Sequence, residues 1–107
     1  MKELEIDPKK VSKILIEFIA DELKRAGFER IVLGLSGGVD SATCAYLSTE
    51  AAGPKNVWAI WMPSEATHPD SEKDVDAVIR TLGINIKAIS IIPVMNLCEG
   101  LYLKWIL

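Results

Sequence analysis

Two serine hydroxyls, a pair of glycines and one carboxylate fall together at Ser36-Gly37-Gly38-Val39-Asp40-Ser41, and that grouping describes a cradle for a pyrophosphate and its metal. Glycine has no Cβ, so Gly37 and Gly38 can take positive φ and bring backbone N–H groups within hydrogen-bonding distance of an anion, pointing inward as a nest. Ser36 and Ser41 can donate further hydrogen bonds to phosphate oxygens. Asp40 cannot, because an ionised carboxylate only accepts, and beside a pyrophosphate it is repelled unless a cation lies between them. Mg²⁺ meets that need, since it takes one carboxylate together with phosphate oxygens and water. The competing reading of these residues is an ordinary strand-to-helix turn with Asp40 or Ser41 as the N-cap. No Lys-Ser or Lys-Thr follows, so this is not a Walker A loop, and the third glycine of the dinucleotide fingerprint is missing.

The elements that must position the loop are legible on either side of it. A buried strand is expected from Arg30 to Leu35, and a helix starting at Asp40 or Ser41 runs through Ala42, Ala45, Tyr46 and Leu47 to about Ala52, ahead of Gly53-Pro54. A phosphate would thus lie at a helix N-terminus, where unsatisfied N–H donors and the helix dipole favour an anion. Upstream, Asp7 and Pro8 open a first helix whose Val11, Ile14, Leu15, Phe18, Ile19 and Leu23 recur at helical spacing until Gly27, a stripe expected in the core. Downstream, Asn56 to Met62 is continuously apolar, as for a strand buried on both faces. A polar loop from Pro63 to Asp70 follows, then a helix capped by Ser71 with Val75, Val78, Ile79 and Leu82 facing inward, and a third strand from Asn85 to Ile91 that stops at Pro93. Alternation of this kind implies a parallel sheet with right-handed crossovers. In the last segment, Val94 to Leu107, the spacing of Leu97, Leu101 and Trp105 predicts a short, very apolar helix. A docking helix that completes the core, a dimer-forming surface and a premature end of the reading frame all fit it.

A chain of 107 residues with 50% hydrophobic content supports one compact domain. A net charge of -3 without a long basic run argues against nucleic acid as a partner. Cys44 and Cys98 match no zinc spacing and no paired redox motif, and Cys44, beside Ala45, is expected to be a small buried hydrophobe. Lys13, Glu17 and Asp21 interrupt the first helix before a signal core could form, and no stretch is long and apolar enough for a bilayer, so no membrane partner and a soluble, cytoplasmic protein are expected. His68 stands alone in its loop and is expected to be solvated rather than a general base. Trp58 is assigned to the core. Trp61 and Met62 lie at the C-terminal end of their strand, where ligands of open α/β sheets bind.

The loop Ser-Gly-Gly-Val-Asp-Ser resembles the pyrophosphate-binding loop of the N-type ATP pyrophosphatase (PP-loop) superfamily. Leu33-Gly34-Leu35, Trp61-Met62-Pro63-Ser64, Ser71 with Asp74, Leu82-Gly83-Ile84 and Ile92-Pro93 are most similar to NAD synthetase, over roughly residues 8 to 93. The resemblance implies an α/β three-layer sandwich with a parallel sheet, adenine nucleotide alpha hydrolase-like, of which this chain has only the first three strands. They would lie with the third at one edge, then the second, then the first. It implies a nucleotide-binding unit over 1–93, whereas the C-terminal helix or tail over 94–107 shows no resemblance to the family. It further implies an ATP-dependent amide ligase, in which the nicotinate carboxylate of deamido-NAD attacks the α-phosphate of ATP, releasing pyrophosphate, and ammonia then displaces AMP. Gly34, Leu35, Ser36, Gly37, Gly38, Val39, Asp40 and Ser41 would bind ATP, with Met62 and Ser64 near the adenine and Asp40 holding Mg²⁺. Neither cysteine resembles a glutaminase nucleophile, which implies the ammonia-dependent type unless a separate subunit supplies the ammonia. Members of the family are considerably longer, and no fourth strand is evident to pair with the first. Its open edge invites a homodimer, built either like the family's or through the edge and tail. Two alternatives stay open: a catalytically incomplete nucleotide-binding module, and another PP-loop enzyme of tRNA thiolation or GMP synthesis.

Overall fold

The structure, a computed structural model, describes residues 5–63 and 69–106. The Asp7 carboxylate accepts from the N–H groups of Lys9 and Lys10, and Pro8 takes the first helical position, where a missing N–H costs nothing. From there α1 runs Pro8–Ala26 and closes when Gly27 and Phe28 turn their N–H groups back onto the carbonyls of Lys24 and Leu23. The chain continues through β1 (Ile31–Gly34), α2 (Val39–Ala52), a 3-10 turn (Pro54–Asn56), β2 (Val57–Trp61), α3 (Pro69–Leu82), β3 (Asn85–Ala88) and α4 (Ile92–Ile106). The strands form one parallel sheet in the order β1-β2-β3, the order the resemblance implied. The Asn85 side chain ties the start of β3 to its neighbour by donating to the carbonyls of Lys55 and Val57.

Register decides which side of the sheet is core. Leu33, Ala59 and Ile86 stand in line across the strands, and so do Val32, Trp58 and Asn85 on the opposite face. α2 packs on β1 and β2, with α3 beside it. Together they bury Leu35, Ala45, Val57, Ala59, Val75 and Ile84, with Leu33, Trp61, Val78, Ile79 and Leu82 packed around them. Ala45 is completely buried, and its single methyl group lets α2 lie close to the strands.

Among the described residues the other face is less covered. Val32 is 68% exposed and Trp58 39%, so β2 is covered on one side and Trp58 is not a core residue. The apolar run predicted burial on both faces, but a run shows only that a strand tolerates cover, while the covering elements decide whether it receives any. The same reasoning corrects α1. It packs along α2, none of its residues is buried, and Ile14 and Phe18 remain 63% and 60% exposed. One neighbouring helix cannot cover a stripe that wide. Cys44 is exposed, because successive helical residues point about 100° apart and Ala45 holds the inward position.

Element ends also moved. α3 begins at Pro69, two residues before the predicted cap at Ser71. β3 leaves the regular ladder after Ala88, although Ile89 still donates to the Trp61 carbonyl. α4 starts at Ile92 and takes Pro93 into its first turn, where proline ends nothing. Among the described residues no helix is long and apolar enough to cross a membrane.

Candidate functional site

Leu35 anchors the loop. Its side chain is buried and its N–H donates to the Ile60 carbonyl at 2.9 Å, so the chain is held to β2 until the residue before Ser36. The loop then closes on its own hydroxyls. Ser36 N–H donates to Ser41 Oγ at 3.1 Å, the two Oγ atoms lie 3.0 Å apart, Gly38 N–H donates to Ser36 Oγ at 3.2 Å, and Ser41 Oγ donates to the Gly38 carbonyl at 3.2 Å. Serine supplies both roles because one hydroxyl both donates and accepts.

Gly37 is where the loop admits no other residue. Its φ is +87°, and a Cβ placed there would stand 3.1 Å from both Cα and the carbonyl oxygen of Ser71. The loop therefore rests against the first turn of α3, a partner that the sequence reading named only for its resemblance. The two adjacent glycines were the available signal, since one of them had to mark a close backbone approach. Gly38, at φ -84° and ψ 163°, has an extended backbone that any residue can adopt, although a Cβ there would stand 3.3 Å from Ser36 Oγ, so the expectation of positive φ holds at Gly37 and not at Gly38.

α2 starts from Gly38 without a side-chain cap. The helix's own ladder begins when Ala42 N–H donates to the Gly38 carbonyl at 3.2 Å. The N–H groups of Val39, Asp40 and Ser41 precede that ladder and have no acceptor within it. Neither Asp40 nor Ser41 is the N-cap, which corrects the turn-only reading of the loop. Asp40 is exposed in the first turn of α2, where a carboxylate also favours the helix dipole. One carboxylate with two hydroxyls is a poor cage for a metal by itself. Among the described residues no group of three or more His, Cys, Asp or Glu side chains could hold an ion. The donor set does fit Mg²⁺ shared with phosphate oxygens, which needs one protein carboxylate.

At the carboxyl ends of β1 and β2, Gly34 and Met62 meet. The Met62 methyl carbon lies 3.8 Å from the point a Cβ on Gly34 would occupy, and the side chain is half exposed beside the loop. Backbone beyond β2 is held in place by Ile89 N–H on the Trp61 carbonyl and Ile91 N–H on the Pro63 carbonyl. The structure thus gathers Gly34, Leu35, the whole Ser36–Ser41 loop and Met62 at one end of the sheet. Ser64 and His68 lie outside the described residues.

The family model described as NAD synthase matches residues 11–104, which corrects the expectation that the resemblance stops near residue 93 and leaves the last segment outside it. The chain is 44% identical over 96 residues to an NH(3)-dependent NAD(+) synthetase of Fusobacterium nucleatum, covering 90% of this chain and 37% of that protein. With its namesake from Methanococcoides burtonii it shares 49% over 84 residues, covering 78% of this chain and 32% of the relative. Among solved structures, an NMN synthetase from Francisella tularensis superposes with a TM-score of 0.83 at 29% identity, over 94% of this chain and 41% of that one. A glutamine-dependent NAD+ synthetase from Acinetobacter baumannii, in complex with ADP, gives 0.79 at 32% identity, over 85% of this chain and 18% of that one. The chain spans about a third of the length of the NH(3)-dependent relatives it matches.

Proposed function

The chain belongs to the NAD synthase family, and from that premise we propose that it is the nucleotide-binding part of an ammonia-dependent amide ligase that adenylylates deamido-NAD with ATP. The observation that carries the reading is the uncapped start of α2, with Ser36 and Ser41 beside it. In this reading the N–H groups of Val39, Asp40 and Ser41 and the two serine hydroxyls bind the β- and γ-phosphates. They hold the pyrophosphate as the bond to the α-phosphorus breaks, so catalysis is positional and electrostatic and needs no side-chain nucleophile. Asp40 would hold Mg²⁺, whose charge offsets the charge developing on the leaving pyrophosphate. Gly34 and Met62 form the floor on which the adenine rests, and Ser64 is assigned to ATP by the resemblance alone. The substrates besides ATP are deamido-NAD and ammonia, and the setting is cytoplasmic.

Exchange of labelled pyrophosphate into ATP tests this directly. Exchange that requires deamido-NAD is the expected result, while exchange driven only by another substrate assigns the chain to a different PP-loop reaction. A second reading, nucleotide binding without turnover, is favoured by the chain spanning about a third of its relatives; ATP binding with no exchange selects it. Asp40→Asn isolates the metal role. It should weaken MgATP binding roughly tenfold, about 1.4 kcal/mol, and leave metal-free AMP binding nearly unchanged. Equal losses for both ligands remove Asp40 from the metal.

A further inference from the structure

We propose that Thr43 is a positioning residue for the phosphates, acting through the peptide group between Val39 and Asp40: its hydroxyl polarises that group and makes the Asp40 N–H a stronger donor to an anion. The Thr43 hydroxyl donates to the Val39 carbonyl at 2.7 Å. In the ladder of α2 the same carbonyl also accepts the Thr43 N–H, four residues on. It therefore accepts twice. The N–H across that peptide bond belongs to Asp40, and like those of Val39 and Ser41 it has no acceptor within the helix. Each hydrogen bond accepted by a carbonyl draws electron density toward the oxygen and away from the nitrogen of the same amide. Bonds linked in this way strengthen one another by roughly 10–30% each. The relay runs from the Thr43 hydroxyl through the Val39 carbonyl and the Asp40 N–H to the anion, with the dipoles aligned head to tail.

Place along the helix gives this bond its consequence. Thr49 donates to the Ala45 carbonyl and Thr81 to the Ala77 carbonyl, both at 2.7 Å. The N–H groups across those peptide bonds, of Tyr46 and Val78, lie inside α2 and α3 and are spent in the ladder, so a hydroxyl there tunes only the helix itself. At Gly38 the situation is closer to that of Val39. Its carbonyl accepts the Ala42 N–H and has Ser41 Oγ within 3.2 Å, but the proposed function gives the Ser41 hydroxyl to the phosphates. Thr43 has no such second task, since among the described residues its hydroxyl meets no acceptor but the Val39 carbonyl. Nor does packing call for threonine, because the residue is exposed and a hydroxyl bonded back to its own helix is slightly destabilising.

The identity of the anion rests on the proposed function, whereas the polarisation rests on α2 alone, and two measurements keep them apart. Thr43→Val exchanges the hydroxyl for a methyl group of similar size, retains a β-branched residue of similar helix propensity, and keeps water from the freed side of the carbonyl. Thr43→Ser restores the hydroxyl, and Thr81→Val removes an equivalent bond from α3. In the chain without ligand, the Asp40 amide proton should move upfield in Thr43→Val and stay in place in the other two variants. By calorimetric titration, Thr43→Val should bind pyrophosphate about threefold more weakly and adenosine as well as wild type does, with Thr43→Ser back at wild-type affinity for both. An unmoved Asp40 proton, an equal loss for pyrophosphate and adenosine, or a serine variant as weak as the valine one overturns the proposal. Pyrophosphate binding that Thr43→Val leaves unchanged refutes the role of Thr43 and spares the proposed function. A wild-type chain that binds neither pyrophosphate nor ATP refutes the proposed function, and with it the anion at the end of the relay.

Discussion

At the start of α1 the Asp7 carboxylate accepts from the N–H groups of Lys9 and Lys10, whereas α2 starts from Gly38 with no side chain to accept from Val39, Asp40 or Ser41. Glycine is a fair N-cap, only a few tenths of a kcal/mol behind a capping side chain, so α2 gives up little stability by leaving its donors without a side-chain acceptor beside two serines and a glycine turn. α1 closes its N-terminus locally. α2 leaves its donors without a side-chain acceptor, and under the proposed function an anion from outside the chain would take them.

Gly37→Val should break the contrast most severely. A branched residue at φ +87° is strained by about 1–3 kcal/mol, and its Cβ meets Ser71 backbone at 3.1 Å, so the loop must leave α3. Calorimetric titration should show ATP affinity down roughly a hundredfold, equivalent to about 2.7 kcal/mol; binding within threefold of wild type would show that the loop's contact with α3 is irrelevant to the ligand. Gly38→Asp gives α2 the kind of cap α1 has. Because glycine is already a fair N-cap, stability should rise by only a few tenths of a kcal/mol, while ATP affinity should drop about tenfold, since the new carboxylate occupies the donors and repels the ligand. Unchanged affinity would mean the start of α2 is not the anion site. The smallest effect belongs to Asp7→Ala, which should lower the unfolding free energy by about 1 kcal/mol and leave nucleotide titrations superimposable on wild type. A loss of ATP affinity there would erase the distinction between the two helix starts.

Most of the loop could be read from residue type alone, because glycine, serine and aspartate have narrow reasons to occur together and each reason is local. Strand order was available only through the resemblance, and the sheet follows it. What could not be read was cover. The periodicity of Ile14 and Phe18, or the apolar run through Trp58, shows which residues share a face, and the identity of the opposing element is a long-range fact that no spacing encodes. Cys44 and Ala45 make the same point at the scale of one residue: both are small and apolar, and only the placement of α2 on β1 and β2 decides which one is buried. Pro93 misled for a local reason, since proline suits a helix's first turn as well as the end of a strand. The contact of Gly37 with Ser71 joins residues far apart in the chain, so glycine could announce a close approach without naming the partner.

Counting hydrogens on the two loop serines shows what kind of ligand the loop can prefer. Ser41 has one hydroxyl hydrogen and two acceptors within reach, Ser36 Oγ at 3.0 Å and the Gly38 carbonyl at 3.2 Å, so that hydrogen is engaged whichever it takes. An arriving ligand therefore trades partners instead of filling an idle donor. A neutral oxygen offers an even trade, one neutral hydrogen bond for another. A phosphate oxygen offers a charge-assisted bond roughly twice as strong, so the exchange becomes favourable in proportion to ligand charge. If the loop binds phosphate as proposed, the latch between Ser36 and Ser41 would act as a filter against weakly charged ligands.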